Sequence, residues 1–238
     1  MSSELSISPL SDSALLVSFG NLIDESINRK VLYLFYHLKE LCIPSVKDIV
    51  PAYSSLAIHY DSTVLQQKNI TGTAFEILSG EIKKIAGNYI ETPLPPSRTI
   101  KVPICYSERF ALDIREIAGE KKIPVEEVKR IHMQKRYRVY MIGFLPGFAY
   151  MGEVDEQIAM PRRQQPRTNV EAGSVGIAGK QTGIYPFTSP GGWQIIGKTP
   201  LSLFNKDKED PVLFHPGDEV EFYSITEDEF ANNKSGNT

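Results

Sequence analysis

The feature that most constrains this chain is the density of glycine, proline and aromatic residues between Gly143 and Leu203. The strings GFLPGFAYMG, PRRQQPRTNVEAGSVGIAGKQTGIYP and SPGGWQIIGKTPL follow one another there almost without a gap. Glycine permits positive φ and proline fixes φ, so a segment this rich in both turns too often for long helices. From Tyr137 onward the sequence therefore predicts short strands in a closed or nearly closed β architecture.

The first part of the chain has a different pattern. Apolar residues recur at spacings of three and four after Asp24 and again after Thr73, which predicts two amphipathic helices. Thr73 and Glu76 match a capping box. Three strand-like runs lie before and between the helices, at 13–19, 46–52 and 56–60. This order predicts a small sheet with helices on one face.

A proline-rich stretch from Thr92 to Ser97 separates the two parts, because proline can continue neither a helix nor a central strand. We predict an N-terminal α+β domain over 1–92 and a mainly β domain over 98–230. The second domain should begin with a strand near 98–106 and two short helices, near 112–118 and 124–132. Residues 231–238 are predicted to be a disordered tail.

Composition narrows the classes of function. The chain has 26 Lys and Arg against 29 Asp and Glu, a net charge of -3, so no global attraction favours nucleic acid or an anionic membrane. Apolar runs stay below the roughly 20 residues that cross a bilayer, and the first 19 residues lack a signal-peptide pattern, so we expect a cytoplasmic protein. The spacing of Cys42 and Cys105 favours reduced, packed thiols, and the histidine spacing predicts no metal site.

The aromatic residues of the dense segment have two interpretations. Phe144, Phe148 and Tyr150 alternate with glycines, so their rings can pack a barrel corner or cover one wall of a cavity. Trp193 is the only tryptophan and fits either a core position or the floor of a ligand groove. Both interpretations stay open from the residues alone.

Three arginines, Arg162, Arg163 and Arg167, place permanent cations within six positions on a segment stiffened by prolines. Guanidinium groups bind carboxylate or phosphate through two parallel hydrogen bonds, which favours an anion site. A solvated charged surface is the alternative.

Further polar side chains follow the arginines. Gln181 and Tyr185 can hold a planar amide or carboxylate, or satisfy the backbone of a turn. Lys198 adds a cation at the end of a strand. His215 precedes Asp218 in the string HPGD, which suits an acid and base pair or a turn stabilised by aspartate. The sequence contains no GxSxG, Walker or GxGxxG motif.

The ordered strings GFLPGFAYMG, PRRQQPR, GSVGIAGKQTGIYP and SPGGWQIIGKTP resemble the signature region of the allophanate hydrolase subunit 1 family, which includes KipI and the B-type subunits of 5-oxoprolinase. The likeness is strongest over Val139 to Leu203, continues through HPGDEVEF, and extends weakly to the opening ISPLSDSALLVSFG. It implies a C-terminal cyclophilin-like β-barrel domain after a smaller α+β domain. It also implies two partners, a homologous C-type carboxyltransferase-like subunit and a LamB/YcsF-like A-type subunit.

The resemblance further implies a B-type subunit of an ATP-dependent 5-oxoprolinase, which opens 5-oxoproline to glutamate and is not active alone. ATP would be bound with or by the partner subunits. The implied catalytic residues are Arg167, Gln181, Tyr185 and His215, and the implied substrate-binding residues are Phe144, Phe148, Tyr150, Arg162, Arg163, Trp193 and Lys198. Two alternatives stay open: a KipI-like inhibitor of sensor histidine kinase autophosphorylation, and an allophanate hydrolase or urea carboxylase-type subunit.

Overall fold

The computed structural model describes residues 5–66, 71–87 and 97–235. These residues form two compact units, one before residue 88 and one from Ser97 onward, and each is described by itself. The proline-rich boundary predicted at Thr92 to Ser97 lies outside the described residues except for Ser97. The predicted domain bounds therefore stay a prediction.

The first unit is a small antiparallel sheet with helices. Its elements are β1 (Ser6–Ser11), β2 (Ala14–Ser18), α1 (Glu25–Leu41), β3 (Val46–Pro51), β4 (Ser55–Tyr60), α2 (Ser62–Gln66) and α3 (Ala74–Gly87). The strands pair in the order β1-β2-β4-β3. The two predicted helices and the three predicted strands are therefore confirmed.

Local capping explains where these helices begin. The Asp24 carboxylate accepts the Ile27 N–H at 3.0 Å and starts α1. Before α3, the Glu76 carboxylate accepts the Thr73 N–H at 2.8 Å, and the Thr73 hydroxyl accepts the Glu76 N–H at 3.2 Å. The predicted capping box is therefore present.

The second unit is built around a larger sheet. Its elements are β5 (Thr99–Ile104), α4 (Ile114–Lys121), α5 (Val125–Gln134), β6 (Arg136–Ile142), β7 (Ala149–Gly152), β8 (Arg167–Val170), β9 (Ser174–Ala178), β10 (Gln181–Ile184), β11 (Ser189–Gly191), β12 (Gln194–Lys198), β13 (Glu219–Ser224) and α6 (Glu227–Ser235). Seven described strands form one sheet in the order β12-β9-β10-β7-β6-β13-β5, and β8 pairs with β11.

This sheet nearly closes on itself. One edge of the sheet is β5, which is followed by Cys105, and the other edge is β12, which ends at Lys198. The Cys105 N–H donates to the Lys198 carbonyl at 2.8 Å, and the Lys198 N–H donates to the Cys105 carbonyl at 3.1 Å. The mixed α/β content and the nearly closed β architecture thus agree with the prediction from the glycine and proline pattern. Closure leaves an inner face and an outer face.

The inner face carries the main core of the unit. Val139, Met151 and Ile177 from the sheet are fully buried in one apolar cluster with Ile117 of α4 and Val128 of α5. The two helices therefore cover the inner face, and any site on the sheet must use its outer face or its ends.

The chain beyond residue 230 differs from the prediction of a disordered tail. Helix α6 continues to Ser235, so the prediction is wrong for 231–235, and residues 236–238 lie outside the described part. Thr226 and Glu229 form a capping box that begins α6. Phe230 is buried, with its ring centroid 4.6 Å from that of Phe110. Burial of this one ring ties the helix to the sheet.

The two cysteines are free thiols, but only Cys105 is buried. Cys42 is exposed where α1 ends. The prediction of packed thiols is therefore correct for Cys105 and wrong for Cys42. Within 5–66, 71–87 and 97–235, no helix has the length and apolar character needed to cross a membrane.

Candidate functional site

The outer face of the sheet brings together residues from the dense segment. In the register of β7 and β10, Tyr150 pairs with Gly183 and Gly152 pairs with Gln181. Successive side chains of a strand point to opposite faces. Since Met151 and Thr182 between them are buried toward the core, Tyr150 and Gln181 lie on the outer face.

Five aromatic rings form a cluster on this face, called here the aromatic cluster: Phe144, Phe148, Tyr150, Tyr185 and Trp193. The Phe148 centroid lies 5.6 Å from Phe144, 4.8 Å from Tyr150, and 5.5 Å from both Tyr185 and Trp193. All four contacts are edge-to-face, which the ring quadrupoles favour. Phe148, Tyr185 and Trp193 are buried, which fits the packing interpretation, while Phe144 is 61% exposed and Tyr150 half-buried. The interpretation as a wall or floor of a ligand site stays a prediction.

A glycine lets the rings approach the sheet. A Cβ at Gly183 would lie 3.0 Å from Phe148 Cζ, 3.1 Å from Trp193 Cζ3 and 2.9 Å from the Ala149 carbonyl oxygen. Those separations are tighter than ordinary carbon contacts. The absence of a side chain at this position therefore lets Phe148 and Trp193 pack directly against the strand backbone.

Two of the three predicted anion-binding arginines are bound to a buried carboxylate, Asp113. Its oxygens accept from Arg163 Nη1 at 2.8 Å, from Arg167 Nη1 at 2.9 Å and from Arg167 Nη2 at 2.6 Å. The Ile195 N–H donates to the same carboxylate at 2.6 Å. Asp113 is 2% exposed, so the two guanidinium groups supply its countercharge. Arg163 and Arg167 therefore do not share one open anion site with Arg162.

Arg162 is the arginine that faces the aromatic cluster. It is exposed, and its guanidinium carbon lies 5.9 Å from the Trp193 ring centroid, within cation–π range. Burial raises the pKa of the Tyr150 phenol, and the positive charge of Arg162 partly opposes this shift. Burial likewise raises the pKa of the Tyr185 phenol, and a backbone hydrogen bond with Trp193 and the charge of Arg162 partly oppose this shift. Both phenols therefore stay protonated at neutral pH and can donate hydrogen bonds.

Lys198 lies at a different place from the aromatic cluster. It is 7% exposed, forms an ion pair with Glu171, and has its Nζ 5.7 Å from the Phe110 ring centroid. It lines a cavity of about 460 Å³. The structure thus separates this cation from the arginines with which it was grouped.

His215 serves the turn before β13. The imidazole Nε2 lies 2.8 Å from Asp210, while the backbone N–H of His215 donates to Asp218 at 2.7 Å. The Asp218 carboxylate also accepts from Arg98 at 2.6 and 3.0 Å. The turn stabilised by aspartate, one of the two alternatives for HPGD, is therefore what the geometry shows. The imidazole and Asp218 do not form a direct pair.

Sequence reasoning missed two residues at this face. Asp113 lies 50 positions before Arg163, with nothing in the local sequence to mark it as the partner. Tyr140 is buried on β6, and a Cβ at Gly152 would lie 3.3 Å from Tyr140 Cε2, which places the ring on the outer face beside β7. The alternation of residues along β6 could have indicated Tyr140.

Metal-ligating side chains do not cluster in the part of the chain that the structure describes. No group of three or more His, Cys, Asp or Glu side chains in those ranges could hold a metal ion.

The fold and the site together define a mixed α/β protein in which a nearly closed sheet presents an aromatic surface beside an arginine. The chain belongs to the carboxyltransferase domain family, subdomains C and D, whose model matches residues 5–214.

Three relatives cover different shares of the chain. The B-type subunit of 5-oxoprolinase from Bacillus subtilis (strain 168) is 38% identical over 226 residues, 94% of each chain. The protein of the same name from Escherichia coli O157:H7 is 45% identical over 128 residues, 54% of this chain and 59% of that one. The urea amidolyase of Saccharomyces cerevisiae is 26% identical over 244 residues, 92% of this chain and 13% of that one.

Two solved structures superpose on most of the chain. TTHA0988 superposes with a TM-score of 0.76 at 32% identity, covering 90% of this chain, and the chain spans only 40% of that protein. The K. lactis urea amidolyase superposes with a TM-score of 0.77 over 99% of this chain and 16% of its own, and at 21% identity it supports the fold alone.

Proposed function

We propose that this chain is the B-type subunit of an ATP-dependent 5-oxoprolinase, converting 5-oxoproline to glutamate together with a homologous C-type carboxyltransferase-like subunit and a LamB/YcsF-like A-type subunit. The observation that carries this proposal is the 38% identity to the Bacillus subtilis B-type protein along 94% of both chains. The relatives named above do not favour the kinase-inhibitor alternative or the urea carboxylase-type alternative.

The proposed substrate-binding surface is the open part of the aromatic cluster. Phe144 and Tyr150 offer ring surface to a small lactam, and Arg162 lies beside them over Trp193. In this proposal Arg162 binds the substrate carboxylate, because a guanidinium group pairs with carboxylate through charge-assisted hydrogen bonds. Gln181, on the same face, holds the lactam amide through its own amide donor and acceptor.

The remaining residues receive supporting roles in this proposal. Arg163 and Arg167 hold the segment that carries Arg162 by binding Asp113. Tyr185 is 1% exposed and supports the cluster from below, so it acts by packing and not by contact with substrate. His215 stabilises its turn through Asp210.

ATP is proposed to bind with or by the partner subunits. Arg163 and Arg167 bind Asp113 and Lys198 binds Glu171, so these cations do not form one open cluster that could cradle a triphosphate. The sequence has no Walker motif either. A phosphate site would need further donors, which a partner chain can supply.

The decisive experiment reconstitutes the full chain with its C-type and A-type partners and measures ATP-dependent glutamate release from 5-oxoproline. Loss of one charge-assisted hydrogen bond costs about 1.5–3 kcal/mol, so Arg162→Ala should raise the KM for 5-oxoproline roughly 10- to 100-fold. Gln181→Ala should lower kcat/KM. Arg130→Ala is the matched control, because Arg130 is an exposed arginine of α5 paired with Glu127.

Two outcomes would contradict these assignments separately. If the complete complex releases no glutamate, the proposed reaction is wrong. If turnover is normal and Arg162→Ala has the same KM as Arg130→Ala, the reaction stands and Arg162 is removed from the site.

A further inference from the structure

The cavity lined by Lys198 is a second place where this chain can bind a small molecule, and it will be called the Lys198 cavity. Its volume of about 460 Å³ lies within the roughly 300–1,000 Å³ typical of small-molecule sites. It is bounded by β8, β12, the loop before α4 and the first turn of α6. The residues that carry the argument are Arg109, Phe110, Glu171, Lys198, Glu227 and Phe230.

Lys198 places a buried charge at the wall of the cavity. The residue is 7% exposed, yet the Glu171 side chain that pairs with it is 69% exposed. A buried ammonium needs a countercharge. When a ligand carboxylate takes the place of Glu171, the ammonium stays paired and the displaced Glu171 side chain is already mostly solvated. The carboxylate of a ligand can therefore replace Glu171 on Lys198 at low cost.

A second ion pair gives the wall both signs of charge. Arg109 and Glu227 are 4.0 Å apart, with side chains 74% and 48% exposed. A simple anion on Lys198 would face the carboxylates of Glu171 and Glu227, which disfavours it. A ligand that carries both an ammonium and a carboxylate instead exchanges with existing ion pairs and leaves no charge uncompensated.

The remaining wall suits a short aliphatic chain. The rings of Phe110 and Phe230 lie 4.6 Å apart between centroids and offer apolar surface beside the charges. Small-molecule sites combine such surface with a few placed polar groups. A zwitterion with a few methylene groups matches both parts of the cavity.

We propose that the Lys198 cavity binds a small α-amino acid, with its carboxylate on Lys198 and its ammonium on Glu171. Glutamate is the first candidate, a choice that rests on the proposed function because that reaction releases it. Its side-chain carboxylate can then pair with Arg109 in place of Glu227, which is 48% exposed and becomes hydrated by solvent when it is displaced. 5-Oxoproline has the carboxylate without an ammonium group, so the cavity distinguishes the product of the proposed reaction from its substrate.

Isothermal titration of the full chain alone, without ATP or partners, tests the proposal with L-glutamate and 5-oxo-L-proline as probes. L-Glutamate should bind more tightly than 5-oxoproline. Lys198→Met should weaken glutamate binding at least about tenfold, as expected for a lost charge-assisted hydrogen bond. Lys180→Met is the control, because Lys180 forms the same kind of ion pair with Glu156 but with both side chains exposed, at 54% and 79%.

A second variant keeps the test informative if the buried substitution disturbs folding. Glu171→Gln changes an exposed side chain, and it should lower the preference for glutamate over 5-oxoproline by up to about fivefold, because it removes the ammonium partner. The proposal is overturned by any one of three results: no saturable glutamate binding, equal affinity in Lys198→Met and Lys180→Met with both folded, or an unchanged preference in Glu171→Gln. The titration measures binding and not turnover. A negative binding result therefore does not contradict the proposed reaction, and absence of turnover in the reconstituted complex does not contradict glutamate binding in the Lys198 cavity.

Discussion

The carboxylate of Asp113 is the most informative residue to perturb, because it organises the arginine segment. It is 2% exposed and accepts hydrogen bonds from Arg163, Arg167 and the Ile195 N–H. Replacing it with alanine removes the carboxylate that binds Arg167, leaves Arg163 with only the exposed Glu116, and leaves a buried N–H without its acceptor. Breaking a buried ion pair from one side costs about 3–5 kcal/mol.

We therefore expect Asp113→Ala to lower the free energy of unfolding of the second unit by about 3–5 kcal/mol, a shift in Tm of about 6–20 °C for a chain of this size. Urea titration followed by the fluorescence of Trp193 is the assay. Trp193 is the only tryptophan, and it lies two residues before Ile195, so it reports on this region. Asp113→Asn keeps an acceptor without the charge and should fall between Asp113→Ala and the native protein.

Glu116→Gln is the matched control for this experiment. Glu116 also accepts from Arg163, at 3.2 Å, but its side chain is 57% exposed. Glu116→Gln should therefore lower the free energy of unfolding by less than about 1 kcal/mol. If Asp113→Ala and Glu116→Gln shift the urea midpoint equally, the reasoning that the buried carboxylate organises the segment is refuted.

Three further changes test the core and the aromatic cluster. Burial lowers the pKa of His132 from 6.5 to about 3, so below pH 6.5 the unfolded chain binds a proton that the folded chain does not. The free energy of unfolding should therefore fall by up to about 1.4 kcal/mol per pH unit down to about pH 3. His132→Gln should flatten this slope in urea titrations between pH 7 and 4.5. Phe148→Ala should lower the free energy of unfolding by about 3–5 kcal/mol in a urea titration, because its ring is 1% exposed. Phe144→Ala should lower it by less than about 0.5 kcal/mol, because that ring is 61% exposed, and equal losses would contradict the assignment of inner and open rings. Gly183→Ala should lower the free energy of unfolding by about 1–3 kcal/mol and shift the fluorescence emission of Trp193. An unaltered emission spectrum together with unaltered stability would show that the rings do not pack tightly against this glycine.

Much of the fold could be predicted because its signals are local. Asp24 and Thr73 mark helix starts through hydrogen bonds that reach only three residues along the chain. The glycine and proline pattern predicted short strands and near-closure, since turn geometry depends on the residues of the turn itself. The prediction of a disordered tail failed for 231–235, because the burial of Phe230 against Phe110 depends on a ring far away in sequence.

The site was predicted in part for the same reason. The five rings of the aromatic cluster do meet, because most of them lie in or directly beside strands of one sheet. Grouping the cations by sequence proximity was less successful. Arg162 lies beside the rings, Arg163 and Arg167 turn to Asp113, and Lys198 lines another cavity.

The sequence by itself determined the helix caps, the turn-rich β character of the second unit and the supply of rings and guanidinium groups for the outer face of the sheet. Only the tertiary structure decided which cation is left to face that surface. An arginine binds whichever carboxylate the fold brings near it, and Asp113 comes from 50 and 54 positions away. Pairing over such distances depends on strand register and sheet closure, which no local pattern of residues records.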